Sequence, residues 1–451
     1  MRLPHDKMTG NDWESGLAKL RRKLLTVRDE PSRISGISDQ INRKGSREGY
    51  KPMDREWIYK RLTVLSVEQA LALPYCTYRL AQEGMRVIRV EAPPRGDPSR
   101  YVGINLLGEE GMDSYFLPVN GGKESMTVNL KTKEGREVLH DLIQRLRIDV
   151  FSTNQMSQQY TGLGIDYETI RSIRKDIIWF GLTGYGPTVF ERAYDPIVQA
   201  RAGLMELNGE LAREPMNIGI PIVDMGAGEN GYGQIVKALL EREITGEGKR
   251  IDLSLFDSAV SWTATHLPVS MNCNIEVSRR GNTHQFIAPV SLYRTQDGYV
   301  YLGCGNDRQW RSLVGLPEFR PLDQPQYENN KGRMTDSAQL VSEIGKVVQK
   351  KTTQEIVEQV KGVGLVAGAT RTLKEVEQDP LVQKRLIRSR DPKTRKEVVL
   401  ASPPVETAFL KASRYRLSFP PRLGEHNRPI LGKELGYGSA RIEDLENRKV
   451  L

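Results

Sequence analysis

One carboxylate stands out by its setting. Asp224 lies in the run Gly219-Ile-Pro-Ile-Val-Asp224-Met-Gly-Ala-Gly228, which leads into a helical stretch carrying Gln234 and Leu240. A carboxylate at the end of an apolar strand, with small residues behind it and a helix N-terminus beside it, is partly desolvated and has backbone N–H groups close by. That environment suits a nucleophile or a proton-transfer group. From spacing alone a helix cap, which aspartate supplies routinely, is the more ordinary reading. Metal chemistry has less support. The five histidines (His5, His140, His266, His284, His426) form no H-E-x-x-H or paired motif, and no metal site is expected. Cys76, Cys273 and Cys304 are too widely spaced for a metal ribbon and leave one thiol over from any disulfide, so a reducing cytoplasm is the expected location.

The elements that must position Asp224 read as an alternation of strands and helices. Residues 62–67 form a short apolar strand, 75–83 a one-faced helix closed by Gly84, and 87–91 a second strand. The pattern recurs as helix 133–147, strand 149–151, helix 167–174 and strand 177–182, which implies a parallel sheet with right-handed crossovers. A second region differs in character: a long helix ends at Thr245-Gly246, residues 251–255 alternate apolar and polar, and 288–303 read as an antiparallel hairpin turning at Asp297-Gly298. Bound nucleotide is disfavoured. Residues 68–74, after the first strand, contain no glycine, whereas a G-x-G-x-x-G turn needs glycines for the backbone to approach a pyrophosphate; there is no phosphate-binding Walker loop either.

The 451-residue chain carries Lys+Arg 66 against Asp+Glu 57, a formal charge of +9. Residues 1–60, read as an extension with a helix near 13–27, hold +5 of this, leaving a nearly balanced body. The basic run Lys19-Leu-Arg-Arg-Lys23 is flanked by Asp12, Glu14 and Asp29 and reads as a solvated helical face, so nucleic acid is not expected as a partner. No apolar stretch of twenty residues exists to cross a membrane, and residues 1–20 carry charges where a signal peptide would be apolar.

Several runs in order resemble class III CoA-transferases, the CaiB/BaiF family. They are Pro74-Tyr-Cys-Thr, Gly84-Met-Arg-Val-Ile-Arg-Val-Glu91-Ala-Pro-Pro-Arg-Gly-Asp97-Pro-Ser-Arg100, Asn120-Gly-Gly-Lys-Glu-Ser-Met-Thr-Val-Asn-Leu-Lys131, Gly181-Leu-Thr-Gly-Tyr-Gly-Pro187, Tyr194-Asp-Pro-Ile-Val-Gln-Ala200 and Pro421-Arg-Leu-Gly-Glu-His-Asn427. The likeness spans about residues 62–446. It implies an α/β fold: a Rossmann-like large domain with a parallel sheet, a smaller mixed α+β domain, and two chains interlocked as a dimer. The corresponding division is an extension over 1–60, the large domain's first part over 61–215, a linker helix and small domain over 216–330, and the large domain's C-terminal part over 331–451.

The resemblance also implies an activity: transfer of CoA from an acyl-CoA, with succinyl-CoA a plausible donor, to a carboxylic acid through an aspartyl-CoA thioester on Asp224. CoA is then a substrate, with no permanently bound cofactor. Val128, Lys131, Asn154 and Arg192 correspond to family CoA contacts, and Arg95 and Arg100 are candidates for its phosphates because guanidinium forks match phosphate oxygens. The family also includes α-methylacyl-CoA racemases, whose histidine and glutamate positions correspond to Tyr194 and Arg294, leaving only the aspartate. The pattern departs at Gly121, Glu124, Asn154-Gln-Met-Ser-Gln158 and Gly162, and no glycine-rich loop follows Gly281-Asn-Thr-His-Gln285. Those departures leave open a third role, a structural subunit completing a related chain's site, so the expected assembly is a homodimer or a heteromer.

Overall fold

A computed structural model describes residues 55–451. The expected extension and its helix at 13–27 lie outside the described residues, except for the turn Arg55–Arg61.

Six strands make one fully parallel sheet: β1 (Thr63–Val67), β2 (Arg86–Glu91), β3 (Lys123–Thr127), β4 (Val150–Thr153), β5 (Ile178–Thr183) and β6 (Lys249–Ser254), in the order β3-β2-β1-β4-β5-β6. This is the doubly wound order, and the direction of winding reverses between β1 and β4. Four of the six read as apolar runs because both faces are covered. Helix α1 (Ala72–Gln82) and α2 (Lys133–Arg145) follow β1 and β3; α3 (Tyr167–Ile173) precedes β5, and α4 (Asp195–Arg201) and α5 (Ile222–Thr245) lie between β5 and β6. One core, with Val64, Leu73, Leu80, Phe180, Ala227 and Ile235, fills the face under α1 and α5; a second, with Ile88, Met126, Leu142, Phe151 and Trp179, fills the other.

Two sheet strands differ from expectation. The 251–255 segment was expected in the second region, yet as β6 it pairs parallel to β5 from Lys249 through Ser254. It is an edge strand with one face in solvent, so its alternation mimics an antiparallel strand. The other edge, β3, has the sequence Lys-Glu-Ser-Met-Thr, which has no apolar periodicity. Its buried polar side chains bind other polar groups, and its outer edge is sealed by the C-terminal segment: the Ser125 N–H donates to His426 Nδ1 at 3.2 Å and the Thr127 N–H to Asn427 Oδ1 at 2.9 Å. The Gly-Glu-His-Asn run near the C-terminus thus covers a sheet edge that would otherwise expose unpaired donors.

The hairpin is present as β7 (Val290–Arg294) and β8 (Tyr299–Gly303), joined antiparallel by β9 (Val366–Ala369). Its core runs from Tyr293 through Trp310, Leu340 and Ile356 to Ala367. The boundary expected at residue 330 therefore cuts through a single packing cluster. Chain from β10 (Ile387–Arg390) and β11 (Glu397–Leu400) onward returns to the large sheet, where Ile430, Leu431 and Leu445 join Met126 and Val138.

Candidate active site

No strand precedes Asp224. Pro221 is the N-cap of α5 and Asp224 lies in its first turn. Proline at 221 removes a donor and disfavours extension of a strand ladder there, so the apolar run Ile220 to Val223 turns straight into helix.

Nor is Asp224 the cap. The carboxylate of Asp195, from the first turn of α4, takes two first-turn donors: the Val223 N–H at 2.7 Å and the Asp224 N–H at 2.9 Å to the same Oδ2, while the Ile222 N–H goes to the Ile220 carbonyl. Asp195 Oδ1 accepts from Gln199 Nε2 at 2.6 Å, and Gln199 Oε1 accepts from the Ile218 N–H at 3.0 Å. The Asp224 carboxyl thus faces the cavity without the helix donors that would hold its charge. Burial, reinforced by the negative charge of Asp195, pushes it up to about 7.

Close helix packing sets its depth. A Cβ on Gly228 would stand 2.6 Å from Tyr75 and 2.9 Å from the Ala72 carbonyl, and one on Gly231 would stand 2.7 Å from Phe180. The small residues after Asp224 let α5 lie directly on α1 and the sheet, which brings its first turn to the carboxyl ends of the strands.

A cavity of about 430 Å³ opens there, lined by Asp224, Asn154, Gln155, Met156, Phe190 and Arg192 among others. A second, of about 530 Å³, is lined by Val128, Lys131 and Gly162 and shares Gln69, Gln155 and Gln159 with the first. Together they form a crevice across the β1–β4 reversal, the usual ligand position in such sheets. Asp224, Asn154 and Arg192 thus meet in one cavity, and Val128 and Lys131 in its neighbour. Asn154 spends its amide on the loop after β1: Nδ2 donates to the Gln69 carbonyl at 2.8 Å, and Oδ1 accepts from the Gln69 N–H at 3.0 Å. It shapes the crevice floor. Lys131 and Arg192 are exposed and carry no ion pair among the described residues.

The two remaining arginines are corrected. Arg100 has no exposed surface; it clasps Glu91 through Nε at 2.8 Å and Nη2 at 2.6 Å, and it also donates to the Pro421 carbonyl. A guanidinium locked to a buried carboxylate does not reach a phosphate. Arg95 stacks on Tyr101 in a separate cleft with Glu109 and Arg422.

Arg100 belongs instead to a buried polar cluster beneath the crevice. Lys123 Nζ donates to Glu68 Oε1 at 2.8 Å, and Arg89 to Asp97 Oδ2 at 2.8 Å. Glu68, Glu91 and Asp97 balance Arg89, Arg100 and Lys123, so the cluster is neutral. Burial alone would raise the Glu68 carboxyl, but Lys123 and Arg89 hold it low; burial drops Lys123 to about 8. Asp97 Oδ1 accepts from the Ala70 N–H at 3.0 Å. Ala70 has φ +62°, a left-handed conformation costing about 1–2 kcal/mol outside glycine, and the network holds the loop in it. Apolar periodicity does not reveal these residues. The signal for them was Asn120-Gly-Gly-Lys-Glu-Ser, whose polar residues sit in a strand. Tyr115 was also missed. Burial raises its phenol, and the charge of Asp224 adds to this, so it stands within electrostatic reach of that carboxyl.

Among the described residues no group of three or more His, Cys, Asp or Glu is arranged to hold a metal, and no helix is long and apolar enough to cross a membrane.

Known proteins share this architecture. The profile of CoA-transferase family III matches residues 59–427. The human succinyl-CoA:glutarate CoA-transferase is 30% identical over 85% of this chain and 87% of its own length. The succinate–glutarate CoA-transferase of Agrobacterium fabrum is 29% identical over 88% of this chain and 98% of its own. The crystal structure of a CaiB/BaiF family protein from Brucella suis superposes with a TM-score of 0.71 at 30% identity, covering 82% of this chain and 98% of that one. The chain belongs to CoA-transferase family III.

Proposed function

We propose that this CoA-transferase moves CoA from succinyl-CoA to a carboxylic acid through a thioester on Asp224. The observation that carries the reading is the first turn of α5: a half-buried carboxyl whose helix donors are taken by Asp195 and which lines the crevice at the sheet's reversal point. A carboxylate deprived of hydrogen bonds is a stronger nucleophile than a solvated one.

The steps balance without an external acid or base. An Asp224 oxygen attacks the thioester carbonyl, the new C–O bond forms, the C–S bond breaks, and CoA leaves as thiolate. The thiolate attacks the Asp224 Cγ of the mixed anhydride and expels the donor carboxylate, leaving aspartyl-CoA thioester. The acceptor carboxylate then attacks Cγ, thiolate leaves again, and its attack on the acceptor acyl carbon returns Asp224 as carboxylate. One anion is exchanged for another at each step. Donors for the tetrahedral oxyanions supply the acceleration.

Lys131 and Arg192, without an ion pair among the described residues and placed at the two cavities, suit the CoA phosphates, while Val128 and the Asn154-held loop shape the channel between them. The succinyl donor rests on the names of the human and Agrobacterium relatives.

The test is CoA exchange, read as entry of labelled succinate or glutarate into acyl-CoA with unlabelled succinyl-CoA as donor. Wild-type chain is expected to catalyse it alone and Asp224→Asn to lose at least a thousandfold. Exchange unaffected by Asp224→Asn rejects the mechanism, and exchange that appears only with a related second chain rejects self-sufficiency.

A further inference from the structure

We infer that Asp195 is a positioning residue for the transfer reaction: by taking two first-turn donors of α5 it fixes the Asp224 carboxyl in the crevice and withholds those N–H groups from it, and its own carboxylate sets a second negative charge beside the nucleophile that keeps it reactive. The inference rests on the reading of Asp224 as the nucleophile.

The geometry is specific. Two first-turn donors, on Val223 and Asp224, go to one oxygen of Asp195, at 2.7 and 2.9 Å. The other oxygen is held by Gln199, which is fully buried and itself anchored to the Ile218 N–H. Asp195 is 6% exposed and Val198 in the same helix is packed in the core under α5, so the cap comes from a fixed element rather than from a mobile side chain. A carboxylate at a helix N-terminus is favourable in itself. An internal Asp or Ser at position 221 would cap as well, without a second charge beside the nucleophile. The arrangement places two acidic side chains at one helix start and gives the donors to only one.

Other charged groups around Asp224 do not offset this. From α1, Tyr75 and Arg79 are engaged with Glu229, which lies further along α5 than Asp224. Leu255 is what the helix Leu255–Ser261 contributes to the cavity, and Asp257 is bonded to Ser254. Tyr115, in the loop before residue 117, has its phenol raised by burial and by the charges of Asp224 and Asp195. On the loop 188–194, Glu191 is paired with Arg201, while Arg192 is exposed on the cavity rim. Asp195 is therefore the nearest partner acting on Asp224 through its own backbone, and its negative charge contributes to the raised carboxyl.

Asp195→Asn tests this. An asparagine oxygen still accepts both N–H groups but carries no charge, so the cap on Val223 and Asp224 survives the change while the bond from Gln199 Nε2, which needs an acceptor, is lost. Two readouts are taken. The first is the acid limb of kcat/KM for CoA exchange. The second is direct titration of Asp224 by ¹³C NMR of aspartate-labelled protein, assigned by difference from Asp224→Asn. Both are expected to move down by at least one pH unit, so that the ratio of variant to wild-type rate is about fivefold higher at pH 6 than at pH 8.5. At high pH the variant is slower than wild type because its nucleophile is less basic. An unmoved limb and unmoved titration in folded Asp195→Asn overturn the inference. Asp195→Ser, which keeps an uncharged acceptor on a shorter side chain, is read identically should the asparagine variant not fold. If instead Asp224→Asn retains exchange, the nucleophile assignment fails, and the NMR titration still decides whether Asp195 controls that carboxyl.

Discussion

Replacing Asp224 by asparagine should abolish transfer and stabilise the fold. Burial, with the charge of Asp195, pushes the native carboxyl up to about 7 from an ordinary value of 3.8. At 1.36 kcal/mol per unit, a shift of about three units corresponds to an upper bound of roughly 4 kcal/mol held against folding once the group is ionised in both states. Water entry and relaxation reduce such figures, so a gain of about 2 kcal/mol is expected for Asp224→Asn at pH 8. The sign follows from linkage. Below the unfolded value both states are protonated and nothing is lost; between pH 4 and 7, roughly, the unfolded chain ionises first and wild type loses stability as pH rises; above about 7 the deficit is constant. The advantage of the variant should therefore shrink at pH 4.5 to about a quarter of its value at pH 8. Reversible urea unfolding followed by tryptophan fluorescence at several pH values measures it. A variant no more stable than wild type at pH 8, or a difference that does not change with pH, would refute the claim that Asp224 is held as a destabilised carboxyl.

Arg100→Met takes from buried Glu91 its two-pronged partner and leaves only Arg89 at 3.3 Å, which should cost about 3 kcal/mol, with Glu91→Gln in the same chain recovering part of it; the KM for acyl-CoA in any folded variant stays unchanged. Asn154→Ala frees the Gln69 loop and should lower kcat/KM about tenfold, equivalent to about 1.4 kcal/mol, with little change in melting temperature. Lys131→Ala and Arg192→Ala should each raise the KM for acyl-CoA and flatten its salt dependence, and one of them should lose the preference for CoA over its dephospho form. Gly228→Ala drives a methyl to 2.6 Å from Tyr75, so α5 must shift; a loss of about 1–3 kcal/mol and reduced exchange are expected from unfolding and activity assays.

The parallel core was legible because its strands are apolar on both faces and its helices keep a single buried stripe. The elements 62–67, 87–91 and 177–182 fall within a residue or so of β1, β2 and β5. What escaped was polar and buried. β3 carries Lys123 and Ser125 into the interior, where an ion-pair network replaces apolar contact, and no periodicity rule registers a strand whose partners are charges from other segments. The setting of Asp224 was half legible. Its place beside a helix start was read correctly, but the preceding strand does not form, and the cap comes from Asp195, 29 residues earlier in the chain. Spacing does not disclose such a long-range donor pairing. Arg100 shows the converse error: an arginine near a phosphate-rich substrate's expected path is as well suited to a buried glutamate, and only burial separates the two.

The central claim is a covalent bond at one residue. Wild-type chain incubated with succinyl-CoA without acceptor, then treated with hydroxylamine, should yield a hydroxamate on the Asp224 side chain, with CoA released in equal amount, found by mass spectrometry of the peptide that spans α5's first turn. Asp224→Asn should give none. A peptide that stays unmodified while the same preparation exchanges CoA, or a hydroxamate formed on another carboxylate, would contradict the account.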